Sequence, residues 1–303
     1  MFKNISEKEW LIISIFIVIK LLLHFFTSTN YDIHRDTFLY YSLSENLDWG
    51  YASVPPFIGV IARVSTFLFG YSAFSLNIFP AMAGAISLLL IALIIKEFGG
   101  SKAALFTAML AFLLSPAYLR SNSLLQPVSF DQLFWLWSAY LIVRMIHSGN
   151  THFWIWIMIV WGVGVMTKYL MVGYAFSFLL AILISQHRKL LFSKHFLIGA
   201  LLAFIIILPN IIWQYNHNWA VLHHLSELGK NQLINVSYEG FLVDQVMMNF
   251  PGLIVWLTGL IVFLFLKKEN NYRVLALASV FIVLLLMLTH GKSYYTLGAY
   301  TYF

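Results

Sequence analysis

Long apolar runs separated by short polar segments alternate along most of the chain. Eight of these runs occupy positions 10–26, 75–95, 103–119, 123–143, 153–185, 196–213, 245–266 and 274–288. A helix needs about 20 mostly apolar residues to cross the hydrocarbon core of a bilayer. The pattern therefore predicts an all-α polytopic membrane protein, a bundle of transmembrane helices.

One of the runs is too long for a single crossing. Residues 153–185 would form a helix about 50 Å long, whereas the hydrocarbon core is about 30 Å thick. Gly162, Gly164 and Lys168 lie in the middle of this run. We therefore predict two short spans with a turn near Lys168, which gives about nine spans in total.

The composition agrees with a membrane location. Of the 303 residues, 61% are hydrophobic and only 10% are charged, and the mean hydropathy is +0.82. A soluble domain is about half apolar and a quarter charged, so the composition excludes a disordered chain and an ordinary cytosolic enzyme. The chain has no cysteine, which excludes disulfides and thiolate chemistry.

The net charge of +6 is accounted for by the topology and implies no nucleic-acid partner. With nine spans and a cytoplasmic N-terminus, the inner segments contain eleven basic and four acidic residues, against six and eight in the outer segments. Inner loops are usually enriched in Lys and Arg. No cleavage site follows the first run, so we expect an uncleaved anchor in the plasma (inner) membrane.

Two of the outer segments are long, 28–74 and 214–244, and the acidic residues concentrate outside. Chemistry is therefore expected on the periplasmic or extracytoplasmic face of a single membrane-embedded domain, 1–303. Within the first outer loop, the apolar stretch 55–69 is too short to span a bilayer. It follows Pro55-Pro56, and we predict a helix lying in the outer interface.

The first outer loop opens with a dense polar cluster that contains Asp32, His34, Arg35 and Asp36. In a helix, Asp32 and Asp36 would share a face, with Arg35 beside them to pair with a carboxylate or to bind a phosphate. A carboxylate here could act as a base toward a hydroxyl or an amine. The alternative is a capping and anchoring segment at the interface.

Two further charged groups lie near the outer ends of apolar runs. Asp131 would be costly at membrane depth unless it were paired or hydrated, and Arg120 is its expected partner. The pair would be either structural or part of a cavity wall. Lys168 would either extend to the headgroups or face a cavity that holds an anion.

Near the end of the sequence, Lys292 stands beside Tyr294 and Tyr295. The three form a candidate phosphate site or, alternatively, an interfacial anchor. Lys20 lies ten residues into the first run, with His24 one turn later. Because this position is far from water, both are expected to face the bundle interior, in a role that the sequence leaves open.

Metal-ligand residue types occur together at His223, His224 and Glu227. Their spacing is not the His-Glu-x-x-His of a zinc helix, so we predict an ordinary loop helix. The chain also has no glycine-rich loop to hold a nucleotide. Nothing in the sequence compels a cofactor, and a divalent metal ion is compatible with it.

Several sequence blocks resemble a known enzyme group. They are YDIHRDTFLY at 31–40, WGY at 49–51, VPP at 54–56, MTKY at 166–169, LPNIIWQ at 208–214 and GKSYY at 291–295. The chain is similar to family 39 glycosyltransferases, the group of dolichyl-phosphate-mannose–protein mannosyltransferases and aminoarabinose transferases. The resemblance runs nearly end to end.

The resemblance implies a GT-C membrane fold and transfer of a monosaccharide from a polyprenyl-phosphate carrier on the outer face. The acceptor would be lipid A, another glycan or a protein. The catalytic acid of the family, the first of an Asp-Glu pair, matches Asp36, and Thr37 stands where the Glu would be. Family members continue for further spans, so we expect this chain to be C-terminally truncated.

The roles that follow are predictions for named residues. Asp36 would be the base, and Lys168, Lys292, Arg35 and Arg120 would stabilise the departing phosphate. The cavity would be completed by Asp32, His34, Asp131, Tyr294 and Tyr295.

Two other functions remain open at this point. A transporter or flippase of a lipid-linked or anionic substrate would usually show an internal repeat with matching interrupted helices, and the sequence shows neither. An inactive family member is the third alternative.

Overall fold

The computed structural model describes residues 5–30, 32–266 and 271–303, and these contain helices but no strand. Tyr31, Lys3, Lys267 and Lys268 lie outside the described residues. The helices are α1 Glu7–Thr27, α2 Arg35–Glu45, α3 Phe57–Phe69, α4 Ala73–Glu97, α5 Lys102–Leu114, α6 Pro116–Ser121, α7 Pro127–Ser148, α8 Phe153–Thr167, α9 Leu170–Leu183, α10 Lys194–Asn216, α11 Ala220–Asn231, α12 Tyr238–Met248, α13 Leu253–Phe265 and α14 Arg273–Leu288. A 3₁₀ helix, Ser293–Tyr300, follows α14.

Local signals explain where several helices begin and end. Ser6 and Glu9 form a capping box at the start of α1, so that two backbone donors without an intrahelical partner are satisfied. Pro127 occupies the first turn of α7, where its missing N–H costs nothing. At the other end Gly149 has φ 66°, the left-handed conformation that commonly stops a helix.

Helix α7 forms the centre of the bundle and is buried along most of its length. It packs against α4 and α8, while α1 packs on the outer side of α4 and α10 packs on α8. Helix α14 packs on α9, and the 3₁₀ segment Ser293–Tyr300 lies against both α7 and α14. The block GKSYY at 291–295, where this segment begins, is thereby brought against the middle of the fold.

The break predicted within 153–185 is confirmed, because α8 ends at Thr167 and α9 begins at Leu170. Lys168 between them has an extended backbone, with φ −157° and ψ 127°. The first turn of α9 lies close against the end of α8. A methyl group on Gly164 would be 2.4 Å from Met171 Cε and 2.8 Å from Met171 Cγ, so the Met171 side chain packs into the space that this glycine leaves.

Two other runs, expected to form one helix each, are interrupted. Residues 103–119 divide into α5 and α6 before Pro116, and 245–266 divide into α12 and α13 around Pro251 with a bend of 71°. A proline removes a backbone donor and disfavours helical geometry in the residue before it. The apolar pattern alone did not reveal these breaks.

Three helices, α1, α4 and α10, are each long and apolar enough to cross a membrane. The bent pair α12–α13 could count as a fourth, and five further apolar helices are shorter. The number of spans, nine, therefore stays a prediction. Helix α3 begins directly after Pro56, as the sequence indicates, and its interfacial location also stays a prediction.

The first loop is fastened to α10 through two of the blocks that carried the family resemblance. The hydrogen bonds join Asn210 Nδ2 to the Trp49 carbonyl oxygen (2.8 Å), Trp213 Nε1 to Asp48 Oδ2 (2.6 Å) and Gln214 Nε2 to the Tyr51 carbonyl oxygen (3.2 Å). The blocks 49–51 and 208–214, which are distant in sequence, thus hold the first loop against α10.

Gly50 is the position in this contact with the least room for a side chain. A methyl group there would lie 2.6 Å from Trp213 Cε3 and 2.8 Å from Asn210 Nδ2. We expect Gly50→Ala to destabilise the protein by about 1–3 kcal/mol, the usual cost of overpacking. Thermal unfolding of the detergent-purified protein would measure this. Gly229→Ala is the control, because its added methyl group has nothing within 4 Å, and a melting temperature equal in both variants would contradict the expectation.

Candidate active site

Asp36 lies in the first turn of α2, where a carboxylate is favoured by the helix dipole. Its Oδ1 accepts a hydrogen bond from Arg35 Nε at 3.2 Å, and its Oδ2 accepts one from Gln126 Nε2 at 3.2 Å. The Asp36 backbone N–H donates to His34 Nδ1 at 3.3 Å, which makes His34 the helix cap. The Asp36 side chain is 38% exposed, so the carboxylate is held in place yet accessible.

The condition under which Asp32 and Asp36 would share a helix face, one helix through both, is not met. Helix α2 begins only at Arg35, because His34 caps it, and Asp32 therefore lies in the segment before the helix. Arg35 does lie beside Asp36 as expected. Its side chain is 91% exposed, so its charge is largely screened by water.

Lys168, at the break between α8 and α9, lies over a second carboxylate. Its Nζ is 3.7 Å from Asp131 Oδ2 in the first part of α7. The ammonium also lies 4.0 Å from the ring centre of Tyr295 and 5.5 Å from that of Tyr294, in cation–π geometry. Lys168 thus faces the protein interior.

The expected ion pair between Asp131 and Arg120 is not formed. Asp131 is buried and pairs with Lys168, because the helix break projects Lys168 over α7. Arg120 lies in the short helix α6 and lines a different cavity together with Lys20 and Asp32. The structure therefore separates Arg120 from the other predicted phosphate-binding residues.

Tyrosines connect the Asp36 region with the Lys168 region. Burial, followed by the charge of Asp36 and by Tyr295, raises the pKa of Tyr40 to about 12. Burial also raises the pKa of Tyr294, with contributions from Tyr295, Tyr40 and Asp36. These phenols consequently stay protonated at neutral pH and can donate hydrogen bonds to an oxyanion.

Lys292 completes the cluster from the terminal segment. Its Nζ donates to Gln232 Oε1 at 2.8 Å, and its charge acts on Lys168. The next residue, Ser293, donates to Asp244 Oδ2 at 2.7 Å, which fixes the start of the 3₁₀ segment. Lys168, Tyr294 and Tyr295 thus lie together, and Lys292 stands just before these tyrosines in the terminal segment.

Two members of this cluster were missed in the sequence. Gln126 was treated as part of the apolar run 123–143, and Tyr40 was noted only as a member of the block 31–40, with no role of its own. The signal that could have revealed Gln126 is a polar residue directly before Pro127, since a proline at this place marks a helix start and so ends the apolar run there.

For the base role that the sequence analysis predicts for Asp36, we expect Gln126→Leu to lower kcat by about tenfold. It removes a hydrogen bond to a carboxylate, which is usually worth about 1.5–3 kcal/mol. Gln126→Glu should be worse, since it sets a second negative charge beside Asp36. Steady-state kinetics on both variants would measure the effect, and full activity in Gln126→Glu would show that Gln126 does not position Asp36.

No group of three His, Asp or Glu side chains within 5–30, 32–266 and 271–303 is placed to hold a metal ion. His223, His224 and Glu227 lie on α11, where Glu227 bonds to Lys230 and Asn231.

A family model described as dolichyl-phosphate-mannose-protein mannosyltransferase matches residues 53–213, more than half of the chain. The chain belongs to this mannosyltransferase family. The matched region contains Asp131 and Lys168, whereas Asp36 and the terminal block lie outside it. The predicted family is therefore confirmed, and the chain is an integral membrane protein.

Solved structures confirm the predicted fold of this family member. ArnT from Cupriavidus metallidurans bound to undecaprenyl phosphate is 14% identical with a TM-score of 0.77, and the match covers 98% of this chain and 60% of ArnT. An Archaeoglobus fulgidus oligosaccharyltransferase in complex with Zn and sulfate is 15% identical with a TM-score of 0.59, covering 96% and 48%. The chain thus spans about 60% of the ArnT length. Among curated proteins none matches its sequence.

Proposed function

We propose that this mannosyltransferase-family member is a glycosyltransferase that takes a monosaccharide from a polyprenyl-phosphate carrier. The acceptor would lie on the periplasmic or extracytoplasmic face. Membership of the family and the fold of ArnT, a protein solved with undecaprenyl phosphate, support this proposal. The single observation that carries it is the position of Tyr294 between two charges: the Lys168 ammonium lies 5.5 Å from its ring centre, and the charge of Asp36 contributes to raising its pKa.

Asp36 acts as the general base in this proposal. An acceptor hydroxyl attacks the anomeric carbon of the donor sugar and forms the new C–O bond. Its proton passes to the Asp36 carboxylate. The bond between the anomeric carbon and the phosphate oxygen breaks, and its electron pair leaves with the polyprenyl phosphate.

Lys168 and Lys292 bind the departing phosphate. Negative charge grows on this phosphate as the bond breaks, and preorganised cations in a site shielded from water stabilise it. Tyr294 and Tyr295, kept protonated, can donate hydrogen bonds to the same oxygens. Asp131 is a positioning residue, since it holds the Lys168 ammonium at 3.7 Å.

Thr37 stands where the family has its second acid, and a threonine cannot replace that acid. Its side chain is buried and has no ionisable group. The proposal therefore uses Asp36 alone, with Gln126 and Arg35 as the groups that hold it.

The proposal is tested by assaying the purified protein in liposomes with a panel of defined polyprenyl-phosphate sugars. The expected result is transfer, or slow donor hydrolysis, with at least one donor. If labelled donor crosses the vesicle bilayer and stays chemically intact, the protein is a transporter. If no donor reacts or moves, it is an inactive family member, and the proposal fails in either case.

A further inference from the structure

A cavity with several polar groups on a mostly apolar wall lies next to the Asp36 region. It has a volume of about 730 Å³, within the usual range for ligand pockets. Its walls come from the second half of α1, the segment before α2, parts of α4 and α6, and residues 122–124. None of the residues in the Lys168–Asp131–tyrosine cluster lines it.

The walls of this cavity carry excess positive charge. Lys20 and Arg120 line it, against a single lining carboxylate, Asp32. Lys20 is only 4% exposed, and its Nζ donates to the Tyr118 carbonyl oxygen at 3.2 Å. Within the described part of the chain no carboxylate forms an ion pair with Lys20. A buried cation without a counter-charge is costly, so the cavity favours an anion.

Further groups on the wall lack a hydrogen-bond partner. His24 Nε2, Ser28 Oγ and Asn122 Oδ1 are buried and make no hydrogen bond to any residue that the structure describes. Buried polar groups are rarely left unpaired. Gly84 lets two of the wall groups converge, because a methyl group there would be 2.7 Å from both Lys20 Cε and Asn122 Oδ1. The wall thus offers an ammonium, a guanidinium and several neutral polar groups to one occupant.

The cavity is connected to the proposed base by two routes. His34 lines the cavity and caps the helix that carries Asp36, with its Nδ1 3.9 Å from Asp36 Oδ2. The segment 122–124 lines it as well, and two residues later Gln126 donates to Asp36. An occupant bound to Lys20 and Arg120 would therefore reach toward Asp36 from this cavity, which Lys168 does not line.

We propose that this cavity binds the acceptor, and that it selects acceptors whose head group combines a phosphate with sugar hydroxyls. The phosphate is held by Lys20 and Arg120, the hydroxyls pair with Asn122 and Ser28, and one further hydroxyl reaches Asp36. This assignment rests on the proposed glycosyltransferase function. It moves Arg120 from the donor phosphate, where the sequence suggested it, to the acceptor.

The first test measures binding and needs no sugar transfer. Glucose 1-phosphate is titrated into protein held in nanodiscs of zwitterionic lipid, and heat release reports the dissociation constant. Lys20→Met and Arg120→Gln should each weaken binding about tenfold or more, because each removes a hydrogen bond between charged groups. Lys230→Met is the matched control and should leave this affinity unchanged, because Lys230 is exposed on α11 and does not line the cavity. A Lys20→Arg variant should retain most of it.

The second arm distinguishes a soluble phosphosugar from a lipid-borne one. Nanodiscs that contain phosphatidic acid should compete with glucose 1-phosphate if a membrane lipid can supply the phosphate, and should have no effect if only soluble head groups enter. Either result supports a phosphate site. Equal affinity in wild type, Lys20→Met and Arg120→Gln overturns the proposal, as does the absence of any binding. If Lys20→Met does not fold, Arg120→Gln decides, since this residue is exposed.

The third test is kinetic. Glucose 1-phosphate should inhibit sugar transfer without raising the KM for the polyprenyl-phosphate donor. Competition with the donor would place the probe at Lys168 and Lys292 and overturn the acceptor assignment while leaving the glycosyltransferase function intact. Conversely, phosphate binding that depends on Lys20 in a protein without transferase activity would contradict the proposed function only.

Discussion

Asp36→Asn should lower kcat for sugar transfer by about 10²- to 10⁴-fold, the usual contribution of a general base. The amide has nearly the same shape and can still accept the hydrogen bond from Gln126, so the protein should insert and fold normally. It cannot take a proton from the acceptor hydroxyl. Transfer of labelled sugar in liposomes measures the rate, and the KM for the donor should change little.

Glu45→Gln is the matched control for this experiment. Glu45 is exposed at the other end of α2, so the variant makes the same chemical change on the same helix. Its rate should stay within about twofold of wild type, as is common for exposed surface changes. An Asp36→Asn protein as active as Glu45→Gln would remove Asp36 as the base.

Lys168→Met should reduce kcat/KM for the donor by about 10²- to 10³-fold, the typical loss when one group that stabilises a developing oxyanion is removed. It should also destabilise the protein by about 3–5 kcal/mol, because Asp131 is left buried without its partner. Transfer kinetics and thermal unfolding separate the two effects.

The double variant Lys168→Met with Asp131→Asn shows whether the pair is only structural. It removes both buried charges, so stability should recover largely while transfer stays low. Recovery of transfer together with stability would mean that Lys168 merely compensates Asp131. Lys168→Arg, which keeps the positive charge, should retain part of the activity.

The sequence predicts most of the helices because their apolar runs are long and their ends carry clear signals. It also predicts the break at Lys168, since no single helix of that length fits a bilayer and two glycines precede the lysine. The burial of Lys20 and His24 follows from depth alone. In each case the information is local and needs no knowledge of which helices touch.

Contacts between distant segments were harder to predict. Arg120 was chosen as the partner of Asp131 because it is near in sequence, whereas Lys168 reaches Asp131 through the packing of α8 on α7. The start of α2 depends on the cap by His34, a single hydrogen bond that no periodicity reveals. The divisions at Pro116 and Pro251 had local signals, Ser115 before the first proline and Asn249 with Pro251-Gly252 around the second, which the long apolar runs on either side outweighed.

One helix sets the spacing between the two halves of the candidate site. Gln126, directly before α7, holds Asp36, and Asp131 on the same helix holds Lys168. Five residues of α-helix advance about 7.5 Å and turn by about one and two-fifths revolutions. The start of α7 therefore fixes the separation of these two anchors. Small movements of the outer helices would change the distance between the Asp36 carboxylate and the Lys168 ammonium little. A one-residue insertion between 126 and 131 would swing one anchor by about 100° and pull the halves apart.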